Sequence, residues 1–460
     1  MGGTLLFDSL NFVMHEAALF AACGFLLLGL SDLAIDLIWI VRTAWRRFTI
    51  YTRFQRACAD TLAAPKHPGL LAVFVPAWDE AEVVGRMLCN ALATFDHADY
   101  RLYVGCYPND PATIAAVSAV DDPRIRLEIG GAPGPTTKAD CLNRLWDALL
   151  ADEAAQGRRA KAIVLHDAED VVHSDELRVL DCLIERFDLV QLPVLPLIDA
   201  NSRWVAGHYA DEFAESHGKE LIVREALGAG LPSAGVGCAF SREALARLAT
   251  GGAPFDADSL TEDYELGLRL RAIGGRAAFV RLPRTKGGRA VSTREYFPGT
   301  IDAAVAQKAR WMTGIALAGW DRLGWSGGVA ERWMRLRDRH SVLAALVLLA
   351  GYFALFLWTL LHLRWLFAGA APDPVPAALA LLVQVNLGFL CWRLAMRCGF
   401  VTSAYGWREG LRSIPRMVVG NAIAMLAARK AVFGYLRLRS SGDTRWDKTI
   451  HEFPAQIPAE

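Results

Sequence analysis

The sequence predicts an α/β domain built on a mostly parallel sheet and joined to a small set of membrane-crossing helices. Three observations carry that expectation. Short apolar runs alternate with helical periodicity through the middle of the chain, hydrophobic residues make up 53% of the whole, and their surplus gathers at the two ends. A mean hydropathy of +0.24 is high for a domain that folds in water alone. At 460 residues the chain has room for a domain of roughly 250 residues and a separate apolar portion.

In the middle, residues 70–77, 101–108, 125–130, 162–167 and 189–195 are short apolar runs, the pattern of strands covered on both faces. Residues 81–93 and 140–150, between such runs, have helical periodicity. Sheets of this kind bind ligands beyond the C-terminal ends of their strands.

Near the N-terminus, residues 17–41 are apolar over a length that crosses a bilayer. Asp8 and Glu16 precede the segment without any Lys or Arg, and Arg42, Arg46, Arg47, Arg53 and Arg56 follow it. The positive-inside rule therefore places the N-terminus in the periplasm and the chain from residue 42 in the cytoplasm. A basic start and a small-residue cleavage site do not stand out, so the segment reads as an uncleaved anchor. Asp32 and Asp36 interrupt it and are expected to pair with a nearby Arg or Lys.

Residues 341–363 and 375–392 are further candidate spans, joined by the turn AGAAPDPVP. Arg335, Arg337 and Arg339 before them, and Arg393 and Arg397 after, keep both flanks cytoplasmic. About three crossings satisfy the charge rule throughout. The last apolar run, 417–428, meets Arg429 and Lys430 and is too short to span, so it reads as an interfacial helix with snorkelling basic groups. The expected organisation is an anchor and basic flank at 1–60, a cytoplasmic domain at 61–335, a helical pair at 336–400, and interfacial helices with a tail at 401–460.

Lys plus Arg and Asp plus Glu are equal at 49 each, so no charge excess points to nucleic acid. The nine cysteines form no CxxC pair, and no His stands at metal-ligand spacing, so neither a disulfide framework nor a zinc site is signalled.

Three stretches carry chemistry-bearing side chains. In HDAEDVVHSDELRVL, a helix capped by Ser174 accounts for Asp175 and Glu176 in its first turn. Asp167, Glu169 and Asp170 precede that cap and follow a strand, which suits a ligand or metal site, with a polar loop as the plain alternative. In DSLTEDYELGLRLRAIGG, Leu266, Leu270 and Ile273 share a helical face, and Ser259 with Glu262 fits a capping box. In AVAQKARWMTGIA, Gln307, Arg310 and Trp311 cluster within about one turn of an amphipathic helix.

Taken in order, these stretches resemble the family 2 glycosyltransferases, in particular their membrane-integrated, often processive branch. VFVPAWDEAEVV looks like that family's first strand and nucleotide-binding turn, TKADCLN like its Lys-Ala-x-x-Leu-Asn element, and HDAED like its Asp-x-Asp motif. TED and QKARW match its Thr-Glu-Asp and Gln-x-x-Arg-Trp signatures. LVQLPVLPL, STREYFPGT and WDKTIHEFP resemble the inner-membrane subfamily first known from a bacteriophage adsorption system.

The resemblance implies the Rossmann-like, type A fold of nucleotide-diphospho-sugar transferases, and inversion at the sugar carbon. Asp263 would be the catalytic base, and Asp167 and Glu169 would hold Mg²⁺ or Mn²⁺ with Asp170 behind them. Pro76, Trp78, Glu80, Lys138, Asp167 and Asp170 fall on the donor side, while Glu262, Gln307, Arg310 and Trp311 fall on the acceptor or diphosphate. Two departures stand out: Trp78 where relatives usually have Tyr, and Cys106 with Tyr107 where their second strand ends in Asp-Asp. In relatives that Asp-Asp would contact the uracil; here Asp110 is either its replacement on the donor side or a turn cap. GVGCAF at 235–240 resembles a glycine floor beneath the sugar, or is a tight turn before a helix at Ser241.

The implied function is transfer of a sugar, N-acetylhexosamine being one candidate, from a UDP-linked donor to a growing envelope polysaccharide at a bacterial inner membrane. The alternatives are a single transfer to a polyprenyl-phosphate lipid, or a non-catalytic scaffold or receptor, which would not need Asp167, Asp263 and Arg310. Three crossings are few for an export channel, so a homo-oligomer or an export partner is implied.

Overall fold

The computed structural model describes residues 2–369, 373–441 and 451–456. Helix α1 (Gly2–Trp45) is followed by β1 (Leu71–Pro76), α2 (Val84–Thr94), β2 (Tyr100–Cys106), α3 (Pro111–Ser118) and β3 (Ile125–Ile129). Then come α4 (Lys138–Gln156), β4 (Ala162–Leu165), α5 (Glu176–Leu183), β5 (Leu189–Gln191) and β6 (Val194–Leu197). The domain continues with α6 (Val205–Glu215), α7 (Leu221–Ala226), β7 (Cys238–Ser241), α8 (Arg242–Leu248), α9 (Glu262–Ala272), β8 (Ala277–Phe279) and β9 (Thr293–Tyr296).

Seven strands form the main sheet in the order β3-β2-β1-β4-β7-β5-β8. All neighbours are parallel except β7, which runs antiparallel to both β4 and β5. Alternate side chains serve two cores. Leu71, Val73 and Val75 pack with Val84, Met87 and Leu177 on one face, while Ala72 and Phe74 pack with Leu142, Leu145 and Leu266 on the other. Burial of both faces is why the strands read as unbroken apolar runs. The helices obey ordinary end rules: Thr137 caps α4 by accepting from the Asp140 N–H, and Gly157 ends it at φ 65°.

The apolar run at 189–195 divides into two strands rather than forming one. Its first part is β5 in the main sheet; after Leu192 and Pro193 the chain becomes β6, which pairs parallel with β9 in a separate ribbon. A proline has no N–H for a ladder, so the chain changes sheets there at little cost in hydrogen bonds.

Beyond β9 lie α10 (Ile301–Trp311), α11 (Gly319–Leu323), α12 (Val329–Arg339), α13 (Ser341–Ala368), α14 (Ala377–Tyr405) and α15 (Trp407–Ser441). Among the described residues, four helices are long and apolar enough to cross a membrane: α1 with its short continuation, α13, α14 and α15. The 417–428 run is part of one 35-residue helix with Pro415 inside it, so the helix is longer than its apolar run shows. That helix also packs on the sheet domain. Arg416 is fully buried against Asp211 of α6 and Glu409, and Ala427 and Ala431 pack on Ala309 of α10.

Asp32 and Asp36 of α1 are paired, as expected. Asp32 meets Arg337 at 3.0 Å and Arg393, and Asp36 meets Lys219 at 2.6 Å and the Trp392 indole N–H at 2.8 Å. After α15 the tail returns to the sheet domain. Phe453 is buried in the core beside α2, and Arg86 donates to the Pro454 carbonyl at 2.6 Å. The first part of the tail motif, 446–450, and residues 370–372 of the turn between α13 and α14 lie outside the described residues.

Candidate active site

Beyond the C-terminal ends of β1 and β4 lies an open cavity. Pro76, Glu80, Lys138, Asp167, Glu169, Glu262, Asp263, Gln307, Arg310 and Trp311 all line it, drawn from five separate stretches of chain.

The loop after β4 is built around a buried histidine. His166 Nδ1 lies 2.7 Å from Asp170 Oδ2, and its Nε2 lies 2.9 Å from Glu176 Oε1. Burial opposes charging the imidazole, but Glu176 and Asp170 outweigh it and push the group up to about 10. Asp170 also accepts the Asp167 N–H at 3.0 Å, so it stands behind the cavity and fixes the loop. The Ser174 cap does not form: the helix begins at Glu176 after Asp175, with no side-chain cap, and Glu176 turns inward to His166. A buried imidazolium has the stronger claim on that carboxylate than the helix end has.

Asp167 Oδ1 lies 2.5 Å from Lys138 Nζ. Burial opposes the charge on Lys138, yet Asp167, Glu262 and Asp263 hold it charged well beyond the usual range. Glu169 is 3% exposed. Burial, reinforced by Asp167, Glu80 and Asp170, raises its carboxyl group against the influence of His451. Its Oε2 is buried with no hydrogen-bond partner among the described residues. An orphaned carboxylate oxygen amid other carboxylates is what a hard divalent cation relieves, so Asp167 and Glu169 fit Mg²⁺ or Mn²⁺.

Helix α9 starts at Glu262 after Thr261. The expected capping box is absent, because Ser259 Oγ accepts from the Thr261 N–H at 3.2 Å and donates to Glu265 at 2.8 Å. Glu262 and Asp263 are thereby left to the cavity. Burial raises both carboxyl groups, and Lys138 opposes the shift in each. Gly235, at φ 77°, brings its backbone so close that a Cβ there would stand 2.6 Å from Asp263 Oδ2. The glycine floor is a close approach to Asp263 as well as a turn.

On the opposite wall, α10 presents Gln307, Arg310 and Trp311, then widens into a π-helical turn, Met312–Ala318, of the kind common at functional sites. Trp311 meets Tyr209 edge-on at 6.0 Å and Phe297 at 6.3 Å, and Phe297 stacks on Tyr209 at 4.7 Å. Lys308 fixes α10 to α6 through Glu212 at 2.5 Å.

Trp78 and Asp110 stand outside the cavity lining. Trp78 packs edge-on against Tyr107 at 5.2 Å. Asp110 caps α3, accepting from the Thr113 N–H at 3.2 Å and from the Asp79 N–H at 2.6 Å, which is the turn-cap alternative. Sequence reasoning also passed over residues that line the cavity: Phe213, Glu295, Phe297 and His451. His451 Nδ1 lies 2.8 Å from Glu80 and 3.2 Å from Glu169. Burial opposes its charge, but Glu169 and Glu80 push it up to about 9. Its only sequence signal is its place in the tail motif.

A charged cavity at the strand ends of such a sheet, with helices suited to a membrane, defines a class. The pattern described as "Glycosyltransferase like family 2" matches residues 67–314, and the chain belongs to that family. It is 37% identical, over 93% of its length, to bacteriophage adsorption protein B of Escherichia coli strain K12 and to bacteriophage N4 adsorption protein B of E. coli O157:H7. It spans 60% of the length of each. A mannosyltransferase from Pyrobaculum calidifontis, solved in complex with GDP-Man and Mn²⁺, shares the fold with a TM-score of 0.53 at 16% identity, covering 90% of this chain and 99% of that one.

Proposed function

We propose that the chain transfers a sugar, with inversion, from a nucleotide-diphosphate donor to a growing envelope polysaccharide at the cytoplasmic face of a bacterial inner membrane. One observation carries this reading: Asp263, Lys138, Asp167, Glu169, Arg310 and Trp311 share a single cavity.

Asp263 takes the proton of the acceptor hydroxyl as that oxygen attacks the sugar carbon. Burial raises its basicity toward the working pH, which favours such a transfer. Lys138, held charged by its carboxylate neighbours, and Arg310, with paired donors, bind the diphosphate. A divalent cation held by Asp167 and Glu169 would neutralise the departing diphosphate. Trp311 and Phe297 offer faces for the acceptor sugar, and Gly235 lets it approach Asp263. The family resemblance favours a UDP-linked donor, with N-acetylhexosamine as the candidate sugar. The arginines flanking α1, α13 and α14 favour a periplasmic N-terminus and a cytoplasmic cavity. Export of the polymer would call on a second copy of the chain or a partner.

The test is release of the nucleotide diphosphate by the full chain in nanodiscs with Mn²⁺, across a panel of UDP sugars and GDP-mannose, beside Asp263→Asn. Donor-specific release that the variant lacks supports the reading. Release no greater than the variant's would overturn it in favour of a non-catalytic scaffold. Product length then separates a polymer from a single transfer to a lipid.

A further inference from the structure

The docked tail brings a nitrogen donor to the carboxylates. Phe453 is 7% exposed and sits in the core with Val83 and Met87, under the Arg86 guanidinium at 5.1 Å. This anchor lies two residues from His451 and holds its ring at the cavity. Glu80, Glu169 and His451 each contribute one donor atom, all within 4.8 Å of one another. The three residues come from the turn after β1, the loop after β4 and the segment after α15.

Adjacent ligands of an octahedral ion with bonds near 2.1 Å are about 3 Å apart. The spacings of His451 from Glu80 and Glu169, 2.8 and 3.2 Å, match that edge. Glu169 also keeps its buried Oε2 without a partner among the described residues. An ion pair alone would account for the histidine and leave that oxygen stranded.

We propose that His451 is a ligand of the divalent cation, together with Glu169 and Glu80, so that the docked tail completes the metal site. This inference rests on the metal-dependent reading above and deepens it. It has a chemical consequence. Mg²⁺ takes oxygen donors almost exclusively, whereas an imidazole donor favours transition metals, so the site should prefer Mn²⁺ to Mg²⁺.

The test uses the full chain in detergent, loaded with Mn²⁺ alone and with Mn²⁺ plus inorganic pyrophosphate, which carries no nitrogen. Pulsed electron paramagnetic resonance should show ¹⁴N coupling to the ion, and His451→Gln should abolish it. Equilibrium Mn²⁺ binding should weaken by about 10-fold or more in that variant, a scale that loss of even an outer partner of a metal ligand reaches. Phe453→Ala, which keeps the histidine but loosens its anchor, should weaken Mn²⁺ binding in the same direction. Bound Mn²⁺ without ¹⁴N coupling, or coupling that survives His451→Gln, overturns the proposal and leaves the carboxylate site standing. Absence of any Mn²⁺ binding overturns both.

Discussion

Two regions of this chain bury ionised side chains, and they do so in opposite ways. Where α1, α12 and α14 meet the sheet domain, carboxylates sit against cations: Asp36 with Lys219, Glu215 with Lys219 and Arg397, and Asp32 with Arg337 and Arg393. In the cavity, Glu80, Asp167, Glu169, Glu262, Asp263 and Glu295 face Lys138, Arg310 and His451, and a Glu169 oxygen is left over. Matched burial fastens helices to a domain; unmatched burial marks a place where a ligand completes the charge.

The largest expected effect tests the unmatched side. Asp263→Asn removes the base and should lower turnover by roughly 10²–10⁴-fold, with an unchanged melting temperature. Next comes the matched side, where Lys219→Met leaves the buried Asp36 without a cation and should cost about 3–5 kcal/mol of stability, read as a fall in the thermal unfolding temperature in detergent. Glu169→Gln should do the reverse: it removes one of six carboxylates that face three cations, so the melting temperature rises while Mn²⁺ affinity, measured by titration, falls. Gly235→Ala forces a side chain into a left-handed backbone against Asp263, at roughly 1–3 kcal/mol, and turnover should drop with it.

The smallest effect is a shift in pH profile. A base works only when deprotonated, so the rate should fail as pH drops through the raised pKa of Asp263, above the ordinary value for an aspartate. Lys138 holds that pKa down, so Lys138→Met should move the acid limb of the rate to higher pH. An unmoved limb would mean that another group controls it.

Much of this arrangement is legible in the chain. Strands β1 to β4 and the apolar helices α1, α13 and α14 announce themselves by length and continuous hydrophobicity. Strands β7, β8 and β9 have three or four residues each, too few to show a period, and the antiparallel insertion of β7 is a property of the assembled sheet. The continuity of α15 is hidden by Pro415 and by Arg416, which is buried against the domain rather than exposed. In the site, local rules mislead wherever a longer-range partner outbids them: Glu176 leaves the helix end for His166, and Ser259 takes Glu265 instead of Glu262. His451 was invisible for a simpler reason, since it stands 371 positions from Glu80.

The most direct test is donor turnover normalised to folded protein, measured side by side for the wild type, Asp263→Asn and Lys219→Met at a temperature where all three remain folded. The account predicts an inactive but fully stable Asp263→Asn, and a less stable Lys219→Met that turns over at the wild-type rate per folded molecule. Full activity in Asp263→Asn, or a Lys219→Met chain that is stable yet inactive, would contradict it.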